Sequence, residues 1–413
     1  MPLTSPFHPR LAALSRVGLW KEWAGYVVPP HFQPSVTLEY YAIRNAVSLF
    51  DTTPLFKYQI TGRDAERLLA KAFVRDIRTV GVGRAQYTTW CDEAGFVLQD
   101  GVVLHVDQDE YWLTSAEPTL RHLRVLARAM GLSEVRIEDV SRAFGILALQ
   151  GPRAHDVLGR LTDAAAPLKY FGTTRTLIGG REVVVSRTGY TGDLGYEVWV
   201  RTEDALAVWD ALWAEGADFN ITPIGNTALK MARVEAGLLL MGADFHSSRF
   251  AWVDAQRETP LELGWSWMLR RLDEDDRDFV GRAAIEAERR DGTSRWKTVG
   301  LVVDWKEFDR LYSLAGLVPP LHEVYSESTM SIYRRGTVQW DYAGYASSYL
   351  TSSLLKRPIA IAKLPPDLTE VGSEVDLEVQ VVRRPYNVLA RVERTPFFNP
   401  ARKTAPVDTE AST

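Results

Sequence analysis

The chain has 413 residues with 48 basic and 53 acidic side chains, a near-balance that offers no one-sided field to a polyanion and so excludes nucleic acid as an expected partner. Its length exceeds that of one ordinary domain, so two or three domains around a substantial core are expected. No stretch approaches the roughly 20 apolar residues that a membrane span needs, and the first residues lack an apolar run behind a basic start; the expectation is a cytoplasmic protein with no membrane partner.

One cysteine, Cys91, rules out an internal disulfide and a thiolate zinc cluster, and it reads as a strand residue rather than a nucleophile. The seven histidines show no metal-ligand spacing, so no metal is expected. Thirteen tryptophans and sixteen tyrosines either fill a core or line a flat pocket, and composition does not separate these uses.

In chain order, Ala65, Leu68, Leu69, Ala72 and Phe73 repeat at helical spacing behind possible caps at Thr61 and Asp64. Strands are predicted near 96–106, 111–115 and 144–149. A helix opens at Pro152 with Ala154, Val157, Leu158 and Leu161 inward. Further strands are predicted near 182–187 and 195–200, then a helix with Ala205, Val208, Trp209, Leu212 and Trp213 on one face. Hairpin spacings mixed with helical crossovers predict an α+β class. After Trp267 the charged stretch RRLDEDDRD reads as a surface connection, and FVGRAAIEAERR as a short helix. The runs TVGLVV, IAIAKL and VDLEVQVV then predict a smaller, mostly β domain. The expected boundaries are 1–275 for the first region, read as one unit or two subdomains, 276–400 for the second, and 401–413 for a disordered tail without apolar anchors.

Alternation along the strand from Phe96 to Val106 puts Asp100 on a face with Phe96, Leu98, Val102, Leu104 and Val106. Taking a lone carboxylate out of water costs several kcal/mol. Two readings stand: a structural Asp paired to a backbone N–H or an arginine, or an acid kept for a task. In RTGYTGDLGYEVWV, Gly189, Gly192 and Gly195 recur every third residue before a strand with Tyr196, Glu197 and Trp199. Such glycines either admit a ligand close to the backbone, with Glu and Tyr on a heterocycle, or form a structural hairpin. The spacing is not that of a dinucleotide fingerprint or a phosphate loop.

Taken together, KEWAGYVVP, YYAIRNAVSLFD, GRAQYTTWCDEAGFVLQDGVV, LALQGP, TGYTGDLGYE, MARVEAGLLLMGADF and FVGRAAI resemble, in one collinear order, the glycine-cleavage T-protein (aminomethyltransferase) family and its folate-dependent demethylases. TGYTGDLGYE is the specific element. The resemblance implies a T-protein-like folate-binding domain of mixed sheets and helices, followed by a β-barrel domain, with tetrahydrofolate as cofactor. It implies that Asp100 is the catalytic carboxylate and that Tyr87, Tyr190, Glu197 and Arg233 hold the folate, with Glu197 on the polar edge of the pterin.

The sequence departs from the family pattern at Gln99, the first acid of its DD pair, at FDTTPL 50–55, and at GNTALK 225–230, where Leu229 replaces an arginine. These changes speak against docking to a lipoyl-carrying partner. The expected reaction is therefore demethylation: a methyl group moves from a small O-, S- or N-methylated compound to N5 of tetrahydrofolate. The aromatic residues of 305–345 either line a pocket for an aromatic donor or fill a larger core. An aminomethyl transfer of the glycine-cleavage type and a non-catalytic folate-binding regulator are the alternatives. A two-carboxylate carbohydrate hydrolase has no support from the glycine hairpin.

Overall fold

The computed structural model describes residues 2–165, 167–320, 325–336 and 341–407. Its first region is built on two sheets laid face to face. The six-stranded sheet runs in the order Thr173–Ile178, Arg181–Ser186, Gly195–Arg201, Phe144–Gln150, Ser48–Asp51 and Thr222–Pro223; only the last pairing is parallel. Phe144–Gln150 is buried along its whole length, as expected of a central strand covered on both faces. One face of this sheet, with Val183, Val185, Tyr196, Val198 and Val200, packs on the helices Ala154–Leu161 and Ala205–Gly216 through Val157, Leu158, Val208, Trp209 and Leu212.

The five-stranded sheet runs Arg84–Cys91, Val97–Asp107, Glu110–Ser115, Phe56–Thr61, Arg136–Asp139, all antiparallel. It buries Tyr58, Ile60, Val103 and Leu113 against Leu68 and Leu69 of the helix Ala65–Ala72 and Leu123 and Ala127 of the helix Leu120–Ala129. Each sheet thus wears helices on one face and has an apolar face left over. The two remaining faces meet in a seam of Ala85, Leu104 and Trp112 from one sheet and Phe144, Ile146, Val184 and Trp199 from the other.

The barrel draws its six strands from residues 297–393. Around the ring they are Met330–Arg334, Glu374–Val381, Arg384–Glu393, Lys297–Val303, Arg357–Leu364 and Tyr342–Ser352, and the last pairs back to the first. Closure leaves no open sheet edge. The alternation EVDLEVQV sends Val375, Leu377, Val379 and Val381 into the barrel core, joined by Leu301, Ile332 and Val388. The class is α+β with a small C-terminal barrel, as the sequence predicts. Among the described residues no helix is long and apolar enough to cross a membrane.

Two expectations need correction or division. Of the aromatic stretch, Phe308 is in the barrel core and Trp305 and Tyr312 pack against it, so these three serve packing; residues 321–324 and 337–340 lie outside the described residues. The tail is not disordered over 401–407. Arg187 donates to the carbonyls of Arg402, Lys403 and Ala405, and the Arg402 guanidinium bonds both oxygens of Asp193 at 2.7 and 2.8 Å. The anchors are mainly backbone carbonyls and one salt bridge, with Val407 the apolar side chain packed on the core, which is why a hydrophobicity reading misses them. Residues 408–413 of the predicted tail lie outside the described residues.

Candidate active site

The seam between the sheets supplies the site, because each strand that enters it continues outward with polar or aromatic side chains on the same face. Two residues beyond Ala85 comes Tyr87; two before Val102, which packs on the seam, comes Asp100; two before Trp199 comes Glu197. Tyr87 is paired with Val102, so Asp100 is its diagonal neighbour across the strands. The Tyr87 hydroxyl donates to Asp100 Oδ2 at 2.7 Å. No arginine or lysine pairs with Asp100 among the described residues, so the structural reading of this acid loses its arginine and keeps only a backbone N–H, that of Asp100 itself. Burial pushes the Asp100 carboxyl up to about 6, and the Tyr87 hydrogen bond offsets part of that rise. At the next position the strand approaches its neighbour so closely that a Cβ on Gly101 would lie 2.0 Å from the Thr114 carbonyl oxygen.

Aromatic rings wall this carboxylate. Tyr87 meets Trp265 edge-on at 6.0 Å and stacks on Trp267 at 6.3 Å and 24°. Trp267 is 39% exposed, a large apolar ring open to solvent beside a sheltered acid. Tyr190 packs on the same cluster, donates its hydroxyl to the Leu239 carbonyl at 2.5 Å, and lies within electrostatic reach of Tyr87 and Asp100. Burial raises both phenols well above 10, so both are neutral donors at ordinary pH.

Glu197 emerges from the facing sheet opposite Ser186. Thr188 donates to its Oε2, and Thr188 and Ser186 share a 2.6 Å hydroxyl contact. Burial raises the Glu197 carboxyl and the Thr188 bond opposes the rise. The structure therefore brings Tyr87, Asp100 and Tyr190 together, and places Glu197 on the facing sheet, two residues before the seam residue Trp199.

Arg233 is placed differently from the expectation. It is fully buried, its guanidinium paired with Asp244 and bonded to Ser348 Oγ at 2.6 Å, Tyr325 Oη at 3.0 Å and the Leu238 carbonyl at 3.2 Å. Both terminal nitrogens are thus engaged by protein, fastening the helix Asn226–Glu235 to the barrel. Asp244 in turn accepts from Ser347 and Ser348.

The glycine loop is also structural. A Cβ at Gly189 or Gly195 would fall 2.0 or 2.3 Å from the Gln150 side chain, which bridges the Thr188 and Tyr196 carbonyls and accepts from Thr191. Gly189 and Gly195 make room for Gln150, and Gly192, at a φ of +74°, for Ala236. Nearby, Arg44 joins Glu235 at 2.7 Å and the Thr191 carbonyl at 2.9 Å, while Tyr40 and Ser352 donate to the other Glu235 oxygen. Cys91 is buried and burial pushes its thiol up, as suits a strand residue.

Sequence reasoning missed Trp265, Trp267, Thr188 and Arg75. The one available signal was the pair of tryptophans in WSW just before the charged connection, which composition alone could not assign to core or pocket.

The fold is two layered sheets with a barrel, also seen in the glycine cleavage system aminomethyltransferase T from Bartonella henselae, with a TM-score of 0.79 at 20% identity over 97% of this chain and 99% of that one. The GCVT N-terminal domain family matches residues 8–271. An aminomethyltransferase of Saccharopolyspora erythraea is 30% identical over 399 residues, 96% of this chain and 98% of that protein. One of Streptomyces coelicolor is 31% identical, covering 91% and 93%, and one of Bacillus subtilis 27%, covering 91% and 94%. The chain belongs to the aminomethyltransferase family.

Proposed function

We propose that the protein is a tetrahydrofolate-dependent one-carbon transferase working at Asp100, and that the group it moves is an aminomethyl carbon, as the names of its relatives suggest. The observation that carries this reading is the Asp100–Tyr87 pair: a half-buried acid with one neutral donor, no cationic partner and an aromatic wall. Such a carboxylate can orient a ligand amine and stabilise positive charge that develops on it. The residues present fit a reduced pterin. Asp100 and Glu197 are acceptors for its N–H edge, and Tyr87, Tyr190 and Trp267 offer rings to a planar ligand. When bound, tetrahydrofolate supplies the nucleophilic nitrogen that takes the one-carbon unit. Alignment at a fixed site removes about 7–11 kcal/mol from a bimolecular barrier, which is work that rigid strands can do.

A second reading, methyl transfer from a small methylated compound, is favoured by one feature. Leu229, at the position of a family arginine, lies in the apolar cluster beside the cleft, which suits a less polar donor. Incubation with tetrahydrofolate and either an aminomethylated lipoyl carrier or a panel of methylated compounds, followed by mass analysis of the folate, tests both. A methylene product with ammonia supports the first reading and a methyl product the second. Tight folate binding without turnover on either donor class sinks both and supports a regulator.

A further inference from the structure

Beside the Asp100 cleft, one basic cluster is neutralised and another is not. Asp76 accepts from Arg78 at 2.9 Å and pairs with Arg271, while Asp276 pairs with Arg78 at 2.9 Å and Arg271 at 3.5 Å. Arg75, the residue before Asp76, and Arg270, the residue before Arg271, make no ion pair with any described residue. Arg75 nonetheless sits inside the site's wall. Its guanidinium lies 5.3 Å from the Trp267 ring centroid, and its Nη1 donates to the Tyr87 carbonyl at 3.3 Å. Its other donors have no protein acceptor among the described residues. Arg270 is exposed and close enough for its charge to act on Arg75.

Two like charges held near one another without a counter-ion, one of them half-buried, are unfavourable unless an anion joins them. Burial and the charge of Arg270 together lower the Arg75 guanidinium from its ordinary value, which is the direction expected of an unneutralised pair. Asp76 and Asp276 are already taken by Arg78 and Arg271, and no acid among the described residues pairs with Arg75 or Arg270, which leaves room for an anion from outside the chain.

We infer that Arg75 and Arg270 form a carboxylate-binding subsite at the mouth of the Asp100 cleft, reached across the face of Trp267. The order Asp100, Tyr87, Trp267, Arg75 is a path of contacts from an acid, over two stacked rings, to a cation. A ligand with an amine-bearing heterocycle at one end and carboxylates at the other matches that order, and a guanidinium binds a carboxylate through paired N–H donors. The inference rests on the proposed folate reading for what sits at Asp100. The carboxylate itself has two possible sources of one chemistry: the glutamyl tail of the folate, or an acid group on an aromatic donor.

Tryptophan fluorescence titration of the full chain with tetrahydrofolate, with 6-methyltetrahydropterin, which lacks the tail, and with benzoate separates the sources. Arg75→Gln and Arg270→Ala are each expected to weaken an anion by about tenfold, as for a lost charge-assisted hydrogen bond. Affinity for the methylpterin is expected to be unchanged in Arg270→Ala. Weakening confined to tetrahydrofolate gives the subsite to the tail, and weakening confined to benzoate gives it to the donor. Unchanged affinity of both variants for both anions overturns it. If the unmutated protein binds neither pterin, the folate reading fails by itself, and the benzoate arm alone decides the subsite. Arg270 is exposed, so its variant keeps the test open should Arg75→Gln not fold.

Discussion

The carboxylate of Asp100 and the carboxylate of Asp244 both lie within electrostatic reach of Tyr190, yet the protein treats them in opposite ways. Asp244 is paired with Arg233 and accepts from Ser347, Ser348 and the Leu240 amide. Asp100 has the Tyr87 hydroxyl and its own backbone amide, and no cationic partner among the described residues. Full satisfaction makes a buried charge a fastener, here between the helix Asn226–Glu235 and the barrel. Partial satisfaction leaves it with capacity for a ligand, at a cost in stability.

The largest effect expected is on the fastener. Arg233→Ala strands Asp244 in the interior and is expected to lower unfolding stability by about 3–5 kcal/mol, read from urea denaturation. If stability is unchanged while folate affinity collapses, Arg233 is a ligand-binding residue after all and the contrast fails. Next in size, Asp100→Asn is expected to reduce turnover about 100- to 1,000-fold with folate still bound, as for loss of one preorganised electrostatic group. Near-normal turnover in that variant would break the comparison from the other side.

Glu197→Gln sharpens the comparison by removing the second under-satisfied acid, and is expected to weaken tetrahydrofolate by about tenfold in a fluorescence titration. The smallest effect is that of Tyr87→Phe. The Tyr87 bond favours ionised Asp100, whose carboxyl stands at about 6. Activity is expected to rise with pH through that value in the unmutated protein, and the rising limb is expected to move to higher pH in the variant. Stability runs the other way. Because the folded carboxyl is raised from 3.8 to about 6, the folded state binds more protons than the unfolded one in that window, and stability falls as pH climbs through it. Asp100→Asn is expected to abolish this decline in urea midpoints measured across that range.

Much of this was legible before any coordinates. The helices at Ala65–Ala72 and Ala205–Gly216 and the strands Val97–Asp107 and Gly195–Arg201 follow from spacing, since periodicity is a property of adjacent residues. Asp100 stood out for the same reason: an acid on an apolar face is visible from its neighbours alone. The helix predicted to open at Pro152 begins two residues later, at Ala154, after a turn.

The role of Arg233 was not legible, because Asp244, Ser348 and Tyr325 lie 11, 115 and 92 residues away and nothing local announces them. Nor was the meaning of the glycine repeat, which depends on Gln150 packing against it from another strand. The sequence by itself determined many of the helices and strands, that a smaller, mostly β region follows a mixed one, and that Asp100 is under tension with its surroundings, all short-range information carried by hydrophobic pattern; that this β region is a barrel came only from the family resemblance. Only the tertiary structure decided which charges are neutralised and which are left open, because pairing depends on contacts between residues far apart in the chain, and that distinction separates Arg233, engaged by protein at both terminal nitrogens, from Asp100, which has no cationic partner among the described residues.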